Sequence, residues 1–538
     1  MAVSVLAAWM LAAGPAAAQP ARRWPQPPPD STLPAGVALA LQQAQVPADA
    51  LAAMVVPATA ATATTATAAP QRRQRSAPRW QVHADRPMPP ASTLKLLISV
   101  VALDRLGPNH RGFTDLLSSA ALQGDVLAGD LVLRGGADPD LGLPQLGALL
   151  AELRWLGVRE IAGDIVLDRQ LFRPALPDEA APPFDGWPEL AYNAVPDALA
   201  LTHNLMGLEI SSQDPAQPGV VVARALPPLP GVQIDASALR LTDRACRDWA
   251  EDWASPPLRT ETAPGRLHIA LRGGFPKACT QRTGLALIDR NALAERHLRW
   301  LWQGLGGQWQ GRVRDADAPL AATAMAAESI AQATAPATAP ATADAAPPPL
   351  RLLARRWSRP WGELLRGMNK QSDNPTARLL YLSLGLAAMA GEPSASTASL
   401  AARSVRAWLD EHQIPTAGLV LDNGSGLSRR ERITPRQLVM LLQVAQAGRW
   451  APELLMSLPV AGVDGSMRYR LGTSPAAGWA RLKSGSLKDV VALAGYVRDP
   501  HGRWWALAAM IHHDQALAAR PALDALIDWV AGGGMARR

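Results

Sequence analysis

The stretch Pro89-Pro90-Ala91-Ser92-Thr93-Leu94-Lys95-Leu96-Leu97-Ile98-Ser99-Val100-Val101-Ala102-Leu103 decides how the chain is read. A proline pair, then Ser, then a largely apolar run predicts the start of a buried helix. Ser92 and Lys95 stand three apart, so on a helix they share one face and can touch. A serine hydroxyl is a poor nucleophile until a base takes its proton, and a neutral lysine amine can be that base. The apolar run beside Lys95 supplies the desolvation that lowers an amine pKa from about 10.4. An ordinary polar pair at a helix start fits the same spacing, so this motif is weak by itself.

The lysine census adds weight. The chain holds five lysines (Lys95, Lys277, Lys370, Lys483, Lys488) within a Lys+Arg total of 53. Arg cannot accept a proton near neutral pH and Lys can, so a lysine kept against such a bias is a candidate for chemistry. Two of them lie in further motifs: Met368-Asn369-Lys370-Gln371-Ser372-Asp373-Asn374 contains S-D-N, and Arg481-Leu482-Lys483-Ser484-Gly485-Ser486 contains K-S-G. The order S-x-x-K, S-x-N, K-[ST]-G is that of serine acyl-transfer enzymes acting on β-lactam-like amides.

Residues Ala2 to Ala13 are mostly apolar and Ala16-Ala17-Ala18-Gln19 offers small residues for cleavage, which predicts a signal peptide over 1–18 despite an n-region without Lys or Arg. No other stretch has the length and apolarity of a membrane span. At 538 residues, 48% hydrophobic, the chain can build more than one domain. Its net charge of +7 permits contact with anionic polymers or a membrane surface. The Arg residues are scattered, so nucleic acid is not expected as a partner. Two tracts, 57–78 and 315–350, are rich in Ala, Thr and Pro and lack large apolar side chains, and are read as solvated insertions.

About 280 residues separate Ser92 from Ser372, far more than a connection between helices needs. Short alternating runs such as Leu131-Val132-Leu133-Arg134 and Ile165-Val166-Leu167-Asp168, punctuated by Gly, Asp and Pro, predict a β-rich inserted domain over 115–285. The catalytic domain would then be split into 30–114 and 286–535. The two cysteines, Cys246 and Cys279, both fall in the insert. An even count in an exported chain supports a disulfide, and two buried thiols remain the alternative. Neither C-x-x-C nor H-E-x-x-H occurs, so no metal or other cofactor is expected.

After S-D-N, helices are expected from Ala377 to Leu386 and from Ala398 to His412. Val490 to Val497 and Trp504 to Ile511 read as a buried antiparallel hairpin, and Leu517 to Val530 as a closing amphipathic helix.

These residues carry a resemblance. The chain resembles low-molecular-mass class C penicillin-binding proteins, which are D-alanyl-D-alanine carboxypeptidases and endopeptidases. Pro90 to Lys95 matches their P-A-S-T-x-K, and Met368 to Asn374 their M-N-K-x-S-D-N. Asp422 to Pro435 is similar to D-[NG]-x-S-G-L-S-R…R-I-T-P, Leu458 to Gly465 to L-P-x-A-G-x-D-G, and Arg481 to Tyr496 to A-R-[LA]-K-[TS]-G-[TS]-L-x-x-V-x-x-L-A-G-Y. Coverage runs from about Leu33 to the C-terminus outside the two tracts. Ser484 replaces the commoner Thr and keeps its hydroxyl.

The resemblance implies an α+β fold of the penicillin-binding-protein/β-lactamase transpeptidase type, an antiparallel sheet covered by helices, with the K-S-G strand at an edge. It implies that Ser92 attacks the D-Ala-D-Ala carbonyl with Lys95 as base. Ser372 and Lys483 would relay a proton to the leaving amine, and Asn374 would hold Lys95 and the substrate. Backbone N–H groups of Ser92 and Ser486 would form the oxyanion hole, beside Gly485, and Ser484 would bind the terminal carboxylate. Asp185 is the candidate for an amine of diaminopimelate, against the plain reading of a turn aspartate. Peptidoglycan stem peptides would be substrates, β-lactam antibiotics covalent inhibitors, and the periplasm the location. A β-lactamase or esterase on the same scaffold, or a non-catalytic wall-binding protein, are the alternatives. The large insert and the complete catalytic set disfavour them. Oligomeric state stays open.

Overall fold

The computed structural model describes residues 30–59, 79–176, 183–254, 257–263, 265–317, 349–389 and 391–537. The expected signal segment 1–18 lies outside these residues, as does most of the tracts 57–78 and 315–350.

Five antiparallel strands form the central sheet, in the order Arg481–Leu487, Val490–Arg498, Trp504–His512, Leu51–Pro57, Trp80–Val82. Both faces are buried, and the period of two sorts its side chains between two cores. Leu51, Ala53, Val55, Leu493, Leu507 and Ile511 face one core with Val37, Leu41, Leu523, Leu526 and Ile527, from the helices Ala35–Gln43 and Arg520–Ala531. Ala52, Met54, Ala494, Ala506, Ala508 and Met510 face the other. There the alanines let the Pro435–Ala447 helix lie close to the sheet. The expected hairpin, the closing helix and the edge position of the K-S-G strand are all present.

The Leu94–Arg105 helix runs through the second core, with every residue from Leu94 to Leu103 buried. A helix apolar on all sides must be surrounded. Its neighbours are Trp361–Gln371, Asn374–Leu386, Thr397–Glu411 and Pro435–Ala447.

Two features define the insert. First, it is β-rich, as expected, with helices laid on one of its sheets. Strands Phe113–Ser118, Leu131–Gly136, Ile165–Asp168, Val313–Asp315 and Arg351–Trp357 make a mixed sheet, partly parallel, covered by the helices Leu143–Trp155 and Arg290–Gly304. A separate β lobe spans Met206–Ser211 to Thr280–Leu285 and holds the Cys246–Cys279 disulfide. Second, the insert does not end at 285. Ala294, Leu298 and Trp302 pack on Leu146, Leu149, Leu150 and Leu153, and Arg351–Trp357 pairs with Phe113–Ser118, so the unit closes at Trp357. The tract 315–350 therefore sits within the insert's sequence and not within the second catalytic segment.

Candidate active site

Three elements converge where the Leu94–Arg105 helix begins. Ser92 lies in the tight turn Ala91–Thr93 that opens this helix, and Ala91 takes a positive φ of 44°. Such a backbone is unfavourable for a residue with a Cβ and persists only when its surroundings hold it. They do so from two sides. A Cβ on Gly485 would lie 2.8 Å from Ser92 N, and one on Gly426 would lie 1.9 Å from the Ala91 carbonyl oxygen. Only glycine permits both approaches.

Lys95, one helical turn on, has no exposed surface. Its Nζ is 2.9 Å from Ser92 Oγ, 2.6 Å from Asn374 Oδ1 and 2.5 Å from the Ser425 carbonyl oxygen. Burial brings the ammonium down to about 7, opposed by the negative charges of Asp373 and Glu431 and assisted by Arg378. A neutral amine has two N–H groups and one lone pair. The two carbonyl-type acceptors can take the N–H groups, leaving the lone pair for the Ser92 hydroxyl.

S-D-N sits at a junction of two helices. Ser372 ends Trp361–Gln371 in the left-handed conformation, φ 61°, and Asp373 caps Asn374–Leu386 by accepting the Thr376 N–H at 2.7 Å. The reversal presents Ser372 and Asn374 to the same space. Lys483 Nζ donates to Ser372 Oγ at 2.9 Å and to the Ser484 carbonyl at 2.8 Å. Burial, then the Lys95 charge, hold the Lys483 amine well below its ordinary value. Ser484 Oγ is 2.7 Å from Ser466 Oγ, at the exposed rim.

The Leu482 N–H donates to the Pro459 carbonyl, away from the sheet. With the strand's period of two, the N–H groups of Ser484 and Ser486 also face off the free edge.

The insert reaches the site too. Asn374 Nδ2 donates to the Tyr192 carbonyl at 3.1 Å, and Arg429 donates to the Phe184 carbonyl at 3.0 Å. Asp185 lies on this loop with both oxygens engaged. Tyr192 Oη donates to one at 2.8 Å, and the Asn193 amide and Trp187 N–H donate to the other. It is a turn aspartate that holds Tyr192 against Asn374. Glu189, on the same loop, is buried with neither carboxylate oxygen hydrogen-bonded.

Sequence reasoning did not single out Glu431 or Ser425, and it flagged Lys370 without giving it a role. Glu431 and Ser425 make their key contacts through backbone groups, which leave no pattern of side-chain types. Lys370, inside a quoted motif, donates to Asp464 Oδ2 at 2.6 Å and to the Leu458 carbonyl at 2.9 Å, tying the S-D-N helix to the Leu458–Gly465 segment.

The family model described as D-Ala-D-Ala carboxypeptidase 3 (S13) matches residues 50–337 and 328–531. The chain belongs to this family. Membership makes it a serine-type D-Ala-D-Ala carboxypeptidase. The D-alanyl-D-alanine carboxypeptidase of Actinomadura sp. (strain R39) is 30% identical over 430 residues, 77% of this chain and 71% of the relative. D-alanyl-D-alanine carboxypeptidase DacB of Haemophilus influenzae is 27% identical over 434 residues, 78% of this chain and 80% of the relative. The crystal structure of penicillin binding protein 4 (dacB) from Haemophilus influenzae has a TM-score of 0.64 at 23% identity, covering 91% of this chain and 99% of that one. That likeness is one of fold, and the S13 chain described here shares its helix-covered sheet and large insert.

Proposed function

We propose that the protein is a DD-peptidase that cleaves D-Ala-D-Ala termini, D-Ala-diaminopimelate cross-links, or both, through an acyl-enzyme on Ser92. One observation carries the reading: a buried amine, Lys95, whose N–H groups have fixed acceptors and whose third neighbour is Ser92 Oγ.

The step balances without a cofactor. Lys95 takes the hydroxyl proton as Ser92 Oγ bonds to the carbonyl carbon of the penultimate D-Ala. The oxyanion meets the N–H groups of Ser92 and Ser486, the latter facing off the free edge. The C–N bond breaks as Ser372, backed by Lys483, passes a proton to the leaving amine. The proton held by Lys95 restores the Ser372 hydroxyl; water then hydrolyses the ester, its OH bonding to the acyl carbon and its remaining proton passing to Ser92 Oγ as the C–O bond breaks. Ser484 and Ser466 together offer two hydroxyls to the terminal carboxylate of the substrate. A β-lactam, which presents a strained amide and a carboxylate in the same relation, would acylate Ser92 and persist as an inhibitor. Because peptidoglycan lies outside the cytoplasm, a periplasmic location follows from this substrate. Among the described residues no helix is long and apolar enough to cross a membrane.

For a substrate bearing a side-chain ammonium, the carboxylate assigned is Glu189 and not Asp185. Asp185 is engaged within its own turn, whereas the Glu189 carboxylate accepts no hydrogen bond and its charge acts on Tyr192. Glu189→Gln is expected to raise KM for diaminopimelate-containing peptides and to leave substrates without that amine unchanged.

The test is release of D-Ala from a peptide ending in D-Ala-D-Ala. Ser92→Ala and Lys95→Met should each lose on the order of 10³-fold or more in kcat/KM. Substantial turnover by Ser92→Ala would refute the assignment.

A further inference from the structure

Glu431 is a fully buried carboxylate in the Pro435 approach, five residues beyond Gly426. Among the described residues no cation pairs with it. Arg430 turns to Asp422 and Arg432 donates to the Arg429 and Glu431 carbonyls. Its partners are backbone N–H groups: Asn423 at 3.0 Å, Gly424 at 2.8 Å and Asp422 at 3.3 Å on Oε1, and Gly426 at 2.9 Å on Oε2. A buried carboxylate ringed by donors shapes the turn that supplies them.

That turn faces the catalytic amine. Gly424 and Gly426 take positive φ, 77° and 86°, and so bend the N–H groups inward. Ser425 is fixed further, because both its N–H and its Oγ donate to Asn423 Oδ1, at 3.0 and 2.7 Å. A trans peptide unit points its C=O and N–H in opposite directions. The unit between Ser425 and Gly426 therefore joins the two groups: its carbonyl accepts from Lys95 Nζ, and its N–H donates to Glu431 Oε2.

We infer that Glu431 is a positioning residue for Lys95: through the Ser425–Gly426 peptide it fixes one acceptor of the amine. This rests on the reading of Lys95 as the base. The other charges acting on Lys95 are those of Asp373, Arg378 and Lys483, and Asp422 acts on Glu431. Burial pushes the Glu431 carboxyl up to about 7, against the pull of its backbone donors, so it and Lys95 titrate in one range; once ionised it raises the Lys95 pKa, and its removal lowers it. Polarisation along the bonded peptide works in the same sense.

The experiment is the second-order rate of Ser92 acylation by benzylpenicillin as a function of pH, for the wild type, Glu431→Gln and Glu431→Asp, with thermal melting at each pH to establish folding. In Glu431→Gln one amide face sets a donor against a backbone donor. The maximal rate should fall roughly tenfold, the scale of one lost hydrogen bond. The acid limb should move to lower pH, because no carboxyl then ionises beside the amine. Glu431→Asp keeps the charge but withdraws it by a methylene, so the rate should fall while the limb stays near its wild-type pH. It carries the test if the Gln variant does not fold: a wild-type rate in folded Glu431→Asp would overturn the positioning role. A limb unmoved in folded Glu431→Gln, whatever its rate, would reduce Glu431 to a structural part. A wild-type profile with no acid limb would instead overturn Lys95 as the base, a different failure.

Discussion

Gly485 stands directly against Ser92: a Cβ at Gly485 would lie 2.8 Å from the Ser92 backbone nitrogen and 2.9 Å from Ala91 Cβ. The third residue of K-S-G is thus the floor on which the Ser92 turn rests. Its backbone, not a flexible side chain, would have to move to admit a methyl group. Gly485→Ala should therefore displace Ser92 by a few tenths of an ångström. We expect a loss of 10²-fold or more in acylation, the scale of a misplaced reacting group, with thermal stability lowered by only about 1–2 kcal/mol. Acylation rate and calorimetric melting of the same preparation check this.

Lys95 fixes the pH dependence. Acylation needs its neutral form, so the rate should rise with pH through about 7, where burial has brought the amine. Stability moves in the same direction. In the unfolded chain Lys95 and Lys483 titrate near their ordinary value of 10.5, and in the folded protein lower, so between about 7 and 10.5 the unfolded chain binds more protons. The folded state therefore gains stability as pH rises across that window and loses it as pH falls. Lys95→Met should flatten this dependence and raise the unfolding free energy near pH 7 while abolishing activity, as urea melts at several pH values would show.

The Lys370–Asp464 pair holds the S-D-N helix to the segment before the K-S-G strand. Hydrogen bonds from Lys370 and the Val460 N–H, against a desolvation penalty, draw the Asp464 carboxyl below its ordinary range. Asp464→Ala leaves a mostly buried ammonium with only the Leu458 carbonyl. We expect destabilisation of roughly 2–3 kcal/mol, and a fall in kcat because Ser372 is placed by that helix. Paired melting and D-Ala release measurements would detect both.

Cys246 and Cys279 close a loop across 33 residues of the β lobe. On the chain-entropy model the bond contributes ~3–4 kcal/mol. Reduction should weaken the lobe by about that amount and leave acylation of Ser92 unchanged, since no cysteine touches the site. Limited proteolysis with and without reductant, followed by a penicillin-binding assay, separates the two effects.

What the sequence revealed and what it concealed follow from the kind of contact involved. The proposed set Ser92, Lys95, Ser372, Asn374 and Lys483 was legible because a proton relay needs particular side-chain types at fixed spacing, and the scarcity of lysine made two of them conspicuous. The two-sided sheet was legible through its apolar runs at Val490–Arg498 and Trp504–His512. The closing strand of the insert was not. Arg351–Trp357 carries three arginines and pairs with Phe113–Ser118 across more than 230 residues, where Asp115 receives Arg355. An ion pair inside a sheet has no local signature. Weighing Asp185 against Glu189 needs burial and partners, which composition does not hold. Glu431 acts on backbone groups, so its importance appears only once the turn is folded.

The most direct measurement is the intact mass of the protein and of Ser92→Ala after brief exposure to benzylpenicillin. A mass increase equal to one whole drug molecule on the wild type, absent from Ser92→Ala, is the expected result. An adduct that persists on Ser92→Ala, or a folded wild type that neither gains mass nor consumes the drug, would contradict the acyl-serine mechanism.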